Sequence, residues 1–229
     1  MDDHGAPAAP LPGNLAARLR QICRDAARDL SASGVGLSVL AVNGVHGMAA
    51  ASDPATERIE ELQFTFGEGP CVDAHATNRP VLVPDLTDGA MGRWPAYAPT
   101  VHDAGVRAVF AFPLQVGATR LGVLDVFRTD AGGLSRQELG QALVYADRAV
   151  TALLDSQESA TPERDGLDQA LDHHAAMFQA QGMVMVQLGV SLSDAMVRMR
   201  ALAYAENRHL NDIAADIVAR RLRFDRDQP

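Results

Sequence analysis

The sequence contains no lysine; its 20 basic residues other than histidine are all arginine. That absence excludes several chemistries. A Walker phosphate loop needs its Lys, a pyridoxal enzyme its Schiff-base Lys and a protein kinase its strand Lys; a phospho-acceptor receiver domain would lack its usual Lys as well. Cysteine is nearly absent too. Cys23 and Cys71 stand far apart and make neither a disulfide framework nor a metal-ligand spacing. Nowhere does the chain reach the roughly 18 uninterrupted apolar residues of a membrane span. The acidic start Met1-Asp2-Asp3-His4-Gly5 leads into Pro and Ala rather than a basic and then apolar stretch, so no secretory signal is expected. A protein of the reducing cytoplasm is the expectation, with no membrane partner.

What is present suits one medium domain and one small one: 229 residues, 47% of them apolar. The net charge of −9 speaks against wholesale nucleic-acid binding. It is unevenly spread, however. From His173 to Arg226 there are seven arginines against five acids, a net +2, which leaves −11 for the remainder. An acidic body with a locally basic C-terminal segment fits a regulator carrying one nucleic-acid module.

Residues 1–13, rich in Pro, Ala and Gly, read as a disordered tail. A helix follows from Asn14 to Leu30. Val35–Val42 and Val45–Ser52 flank Asn43-Gly44, a two-residue hairpin signal. Pro54–Gln63 reads as a helix with Glu57, Glu60 and Glu61 on its wet side. A short helix with Cys71 follows Gly67-Glu68-Gly69-Pro70; Val81–Asp85 is a strand, and Met91–Ala104 is a helix or lid bearing Trp94 and Tyr97. Strands at Arg107–Leu114 and Leu121–Arg128 precede a helix opened by the capping box Ser135/Glu138. An α+β domain with an antiparallel sheet and flanking helices is therefore expected over residues 14–156. After a linker at 157–166, three helices are expected over 167–226: Leu167–Leu188 ended by Gly189, one opened by Ser191/Asp194, and one carrying Leu210, Ile213, Ala214, Ile217 and Val218.

In the first domain, a pocket is expected between one sheet face and the segment Gly67–Tyr97. Trp94 and Tyr97 either line it or simply pack. Asp125, on an otherwise apolar strand face, must be paired or hydrogen-bonded; it anchors a ligand or, preferably, bonds the backbone of a neighbouring loop. Cys71 is either a thiol activated at a helix start or a small buried apolar residue. The histidines show no zinc spacing, and His75, four residues after Cys71, adds only a second ligand where a structural metal site needs more; no metal is expected.

In the second domain, Arg200, Tyr204 and Arg208 are spaced by four, hence on one helical face. An Arg–aromatic–Arg stripe suits a single-stranded RNA loop, where bases stack and phosphates pair with guanidinium. Equally, Tyr204 can finish the small core and Arg208 complement a helix C-terminus. Arg220, four residues after Asp216, reads as one half of a surface ion pair, and Arg221 as a snorkelling side chain. Arg223 has no partner in sequence. Leu171, His174, Phe178, Met185 and Leu188 follow an alternating spacing that suits either a dimer seam or packing within the module; a homodimer is expected.

The segment from Gln179 to Val218 resembles the ANTAR domain, the three-helix unit of bacterial transcription antiterminators that bind RNA hairpins. The resemblance rests on Ala180-x-Gly182, Met185, Ala195, Met199-Arg200, Ala203, Leu210, Ile213-Ala214 and Ile217-Val218. It implies hairpin RNA, in tandem, as the partner, and RNA contacts at Gln181 (where the family often has Lys), Arg200, Tyr204, Arg208 and Arg223. Met196 stands where the family usually has an aromatic. Residues from about 30 to 155 resemble the GAF domain as it precedes ANTAR in actinobacterial proteins, through "FGEGPCVDA", "RPVLVPDL", "RWPAYAP", "GVRAVFAFPLQV" and "RLGVLDVFR". That resemblance implies a sensory domain responding to a small molecule or protein and leaves the cofactor unknown. Cys71, Trp94, Tyr97 and Asp125 are the pocket candidates. A regulator rather than an enzyme is expected; the alternatives are a GAF-type methionine sulfoxide reductase using Cys71 and a helix-turn-helix DNA-binding repressor.

Overall fold

The computed structural model describes residues 15–40, 46–158, 167–206, 208 and 210–225. The expected N-terminal tail, the Asn43-Gly44 turn and nearly all of the expected linker lie outside them. The chain runs α1 (Leu15–Asp29), β1 (Gly34–Leu40), β2 (His46–Ala51), α2 (Pro54–Phe66), α3 (Pro70–Thr77), β3 (Val81–Val83), α4 (Ala90–Arg93), α5 (Tyr97–Asp103), β4 (Ala108–Val116), β5 (Thr119–Arg128), α6 (Arg136–Glu158), α7 (Leu167–Leu188), α8 (Leu192–Ala205) and α9 (Leu210–Val218).

The five strands form one antiparallel sheet in the order β2-β1-β5-β4-β3. Side chains alternate across it, so each strand serves two cores. Val35 and Leu37 of β1, Phe110, Phe112 and Leu114 of β4, and Leu124 and Val126 of β5 face α1 and α6. Val109 and Ala111 of β4, with Val123 and Phe127 of β5, face α3, α4 and α5. The helix pair closes because its contact residues are small: Cys23 and Ala26 on α1, and Ala142, Ala146 and Ala149 on α6, are all buried. The capping box forms as the sequence predicts. Glu138 N–H donates to Ser135 Oγ at 3.2 Å, and Ser135 N–H donates to Glu138 Oε2 at 2.7 Å.

Where one helix or lid was expected over Met91–Ala104, two short helices stand, separated by Trp94, Pro95 and Ala96. Pro95 has no N–H to give a continuing helix. The second is held at its start by Glu68, whose Oε1 accepts from Ala96 N at 2.6 Å and Tyr97 N at 2.9 Å.

The last three helices make a core of their own around Met177, Ala180, Val184, Ala195, Met199, Ala203, Ile213 and Ile217. Gly189 ends α7 in the left-handed region, φ +68, and its N–H donates to Met185 O at 2.8 Å. Ser191 caps α8, accepting from Asp194 N at 3.1 Å.

Candidate functional site

Of the expected recognition stripe, Arg200 and Tyr204 share α8, but α8 ends at Ala205, so Arg208 belongs to the turn before α9 rather than to the same helical face. Its guanidinium is tied to Asp216 and Glu206, which pins that turn to α9. Asp216 also pairs with Arg221 at 2.6 Å. The acid expected to hold Arg220 therefore holds Arg208 and Arg221, and Arg221 is ion-paired rather than snorkelling. Arg220 sits at φ +59 and is exposed. Gln181 is buried, and its Nε2 donates to Leu192 O at 2.7 Å, bracing α7 against the start of α8. Arg223 is exposed at the C-terminal side of α9.

Arg200 and Tyr204 do not complete the module's own core. They meet α2 of the other domain. Arg200 Nε donates to Phe64 O at 2.9 Å, and Tyr204 lies edge-on to Phe66 with ring centroids 5.8 Å apart. Asn211 Nδ2 adds a hydrogen bond to Glu61 Oε1 at 3.0 Å. The approach is close enough that a Cβ on Gly67, the left-handed cap of α2, would stand 2.5 Å from Arg200 Nη1. Burial of the guanidinium draws its pKa down, and among the described residues no carboxylate pairs with it. Tyr204 keeps most of its surface in solvent, 68%. In this structure the pair docks on the neighbouring domain, a placement that neither alternative drawn from the sequence included.

For the dimer seam, the side chains of Leu171, His174 and Phe178 lie outside the described residues. Met185 and Leu188 are half-buried against the module's own core.

In the first domain, all four residues expected at the pocket, Cys71, Trp94, Tyr97 and Asp125, are buried. Trp94 and Tyr97 are 2% and 0% exposed and meet edge to face, centroids 6.4 Å apart, within the core that includes Cys71 and Ala74. Trp94 Nε1 donates to Asp73 Oδ2 at 3.2 Å. Asp125 accepts no backbone N–H from a loop, against the preferred expectation; neither of its oxygens has a hydrogen-bond partner, although it is wholly buried. Its surroundings explain how it is accommodated. Across the sheet Asp125 stands opposite Gly36 and Ala111, whose small side chains leave room above it. Glu60, from α2, fills that room: a Cβ on Gly36 would lie 2.1 Å from Glu60 Oε1.

Glu60 was expected on the wet side of its helix, and that is overturned: it is 0% exposed. Thr56, Glu60 and Gln63 form the inward stripe of α2. Gln63 donates from Nε2 to Glu60 Oε2 at 3.2 Å and accepts at Oε1 from Cys71 N at 2.8 Å. Cys71, second residue of α3, lies 3.2 Å from Ser38 Oγ. One ligand-capable atom each from Glu60, Cys71 and Asp125 lies within 4.8 Å of the others. Burial, with the carboxylates next to one another, pushes the Glu60 carboxyl well up from its ordinary value, and burial likewise raises Asp125. Burial and the same two acids push the Cys71 thiol up as well, the opposite of an activated thiolate at a helix start.

Sequence reasoning missed Glu60. The available signal was Gly36, a glycine inside a strand, which marks a close approach.

A GAF domain model matches residues 14–153, and an ANTAR domain model matches 165–218. Among curated proteins nothing matches the chain. Solved structures similar to it include several GAF domains. That of a phosphoenolpyruvate-protein phosphotransferase from Coxiella burnetii is 19% identical at TM-score 0.53, covering 66% of this chain and 87% of its own. The GAF domain of the cyanobacteriochrome TePixJ is 18% identical at 0.52, covering 67% and 98%. The GAF domain region of a putative membrane protein from Geobacter sulfurreducens is 17% identical at 0.51, covering 61% and 93%. At these identities the likeness is one of fold. With the sheet order, the two helix layers and the three-helix unit behind them all accounted for, this chain belongs to the GAF domain family and carries an ANTAR domain C-terminal to it.

Proposed function

We propose that the chain is a signal-gated antiterminator, in which the ANTAR domain grips hairpin RNA through Arg200, Tyr204, Arg208 and Arg223 while the GAF domain controls access to that surface. Gln181 serves from within, holding α7 and α8 in register. The observation that carries this reading is the seat of Arg200 and Tyr204 on α2: the donors and ring suited to an RNA loop are engaged by the sensory domain instead. RNA and α2 then compete for one surface. A small-molecule or protein signal that favours the undocked arrangement raises the RNA-competent fraction, and the apparent affinity rises in proportion. Two copies reading tandem hairpins gain through effective concentration, so the proposal includes a homodimer in the cytoplasm; a stable monomer at tens of micromolar in sedimentation would remove that part.

The test is the salt dependence of hairpin binding by the full chain. Each phosphate contact contributes a slope of roughly 0.7–0.9 in log affinity against log salt. Arg200→Ala is expected to lower the slope by about 1 whatever the docked fraction, because the slope counts contacts in the complex. An unchanged slope would remove Arg200 from the interface. Duplex DNA competing as well as the hairpin would favour the repressor alternative. The reductase alternative needs a reactive thiolate, and the burial of Cys71 among carboxylates opposes one.

A further inference from the structure

We propose that Glu60, Cys71 and Asp125 form a binding site for a single borderline divalent cation, zinc foremost, inside the GAF domain. The three side chains come from α2, α3 and β5, converge to within 4.8 Å, and are all fully buried. Left to themselves they are costly: two carboxyls and a thiol share a dry site with no basic residue among them. Glu60 Oε1 and both Asp125 oxygens lack hydrogen-bond partners. A second observation points the same way. The Tyr97 hydroxyl, on a separate helix and wholly buried, also has no partner, and its charged neighbours are these same three groups.

The donor set selects the ion. Thiolate sulfur disfavours magnesium and calcium, and two carboxylates disfavour copper(I), whereas zinc accepts sulfur and oxygen together in a four-coordinate site. Zinc bonds of about 2.0–2.3 Å place ligand atoms about 3.5 Å apart, so a modest contraction of the triangle suffices. Ser38 Oγ, 3.2 Å from the sulfur, supplies the oxygen for the remaining position. The cation enters as two protons leave, one from the Cys71 thiol and one from the carboxyl pair, so the net charge of the buried site does not change. Glu60 lies one helical turn before Phe64, so the site and the α8 contact share α2; metal uptake itself does not depend on the RNA reading.

The test is cobalt and zinc titration of the full chain after chelator stripping. One equivalent of Co2+ is expected to give a thiolate-to-metal charge-transfer band in the near ultraviolet, bleached by zinc. The band should vanish in Cys71→Ser and survive in Cys23→Ser. Asp125→Asn, which relieves the carboxyl–carboxyl repulsion and so should fold, is expected to bind at least tenfold more weakly and to lose the zinc-dependent rise in melting temperature. A folded wild-type protein with no charge-transfer band, a band surviving Cys71→Ser, or full affinity in Asp125→Asn would each overturn the site.

Discussion

Arg128 shows how one side chain can tie three elements. From β5 its guanidinium donates to Leu30 O at 2.7 Å at the end of α1, pairs with Glu138 at the start of α6, and lies 5.9 Å from the Phe110 ring. The Ser135 hydrogen bonds, together with Arg128, lower the Glu138 pKa from 4.5 to about 2. A carboxyl whose folded pKa is depressed contributes stability that is whole above its unfolded value and is lost as pH falls toward the folded one. The window is therefore pH 4.5 down to 2. Glu138→Gln keeps a residue able to complete the capping box but loses the charge. It is expected to lower the urea midpoint at pH 7 and to flatten the fall in midpoint across that window. An identical pH profile in variant and wild type would show that the pair contributes nothing.

At the same scale, sequence and structure part company over the buried acids. Asp125 was legible as an anomaly because its strand neighbours are apolar. Its partner was not. A glutamate among other glutamates on an amphipathic helix reads as solvated, and only the cross-strand placement of Gly36 opposite Asp125 shows which one turns inward.

Among the elements, α2 is the one on which both halves of the account depend. Its outer turns carry Phe64 and Phe66 to α8, and its inner stripe carries Glu60 to Asp125. The helix starts at Asp53, whose Oδ1 accepts from Ala55 N at 2.9 Å and Thr56 N at 3.0 Å, and whose Oδ2 bonds the Thr56 hydroxyl. Asp53→Ala removes that cap and is expected to cost about 1 kcal/mol, within a range of roughly 0.5–2. Chemical denaturation of the full chain measures it; a loss below about 0.3 kcal/mol would mean that solvent or Ser52 replaces the cap. Strand and helix positions were read well because periods of 2 and 3.6 leave strong traces in an apolar-rich chain. The break at Trp94–Ala96 was not, since a Pro inside an amphipathic run marks a boundary without saying whether the helix kinks or stops.

For the whole molecule, the uneven charge and the two resemblances make the order of domains legible in the sequence. How they face one another is not. The docking of α8 on α2 uses a backbone carbonyl, a ring edge and one side-chain amide, none of which leaves a periodic signature. The same residues could be read as RNA contacts or as core, and sequence held no way to place a third partner in between. No helix among the described residues is long and apolar enough to cross a membrane.

The central claim is that α2 and RNA compete for Arg200 and Tyr204. It is tested most directly by the hairpin affinity of Phe66→Leu, which keeps apolar bulk in the first domain but removes the ring that Tyr204 meets. An aromatic pair of this geometry is worth about 0.5–1.5 kcal/mol. If docking dominates in the resting chain, the variant should bind hairpin RNA roughly two- to tenfold more tightly at fixed salt, with the salt slope unchanged. Equal or weaker binding by a folded Phe66→Leu protein would contradict the account.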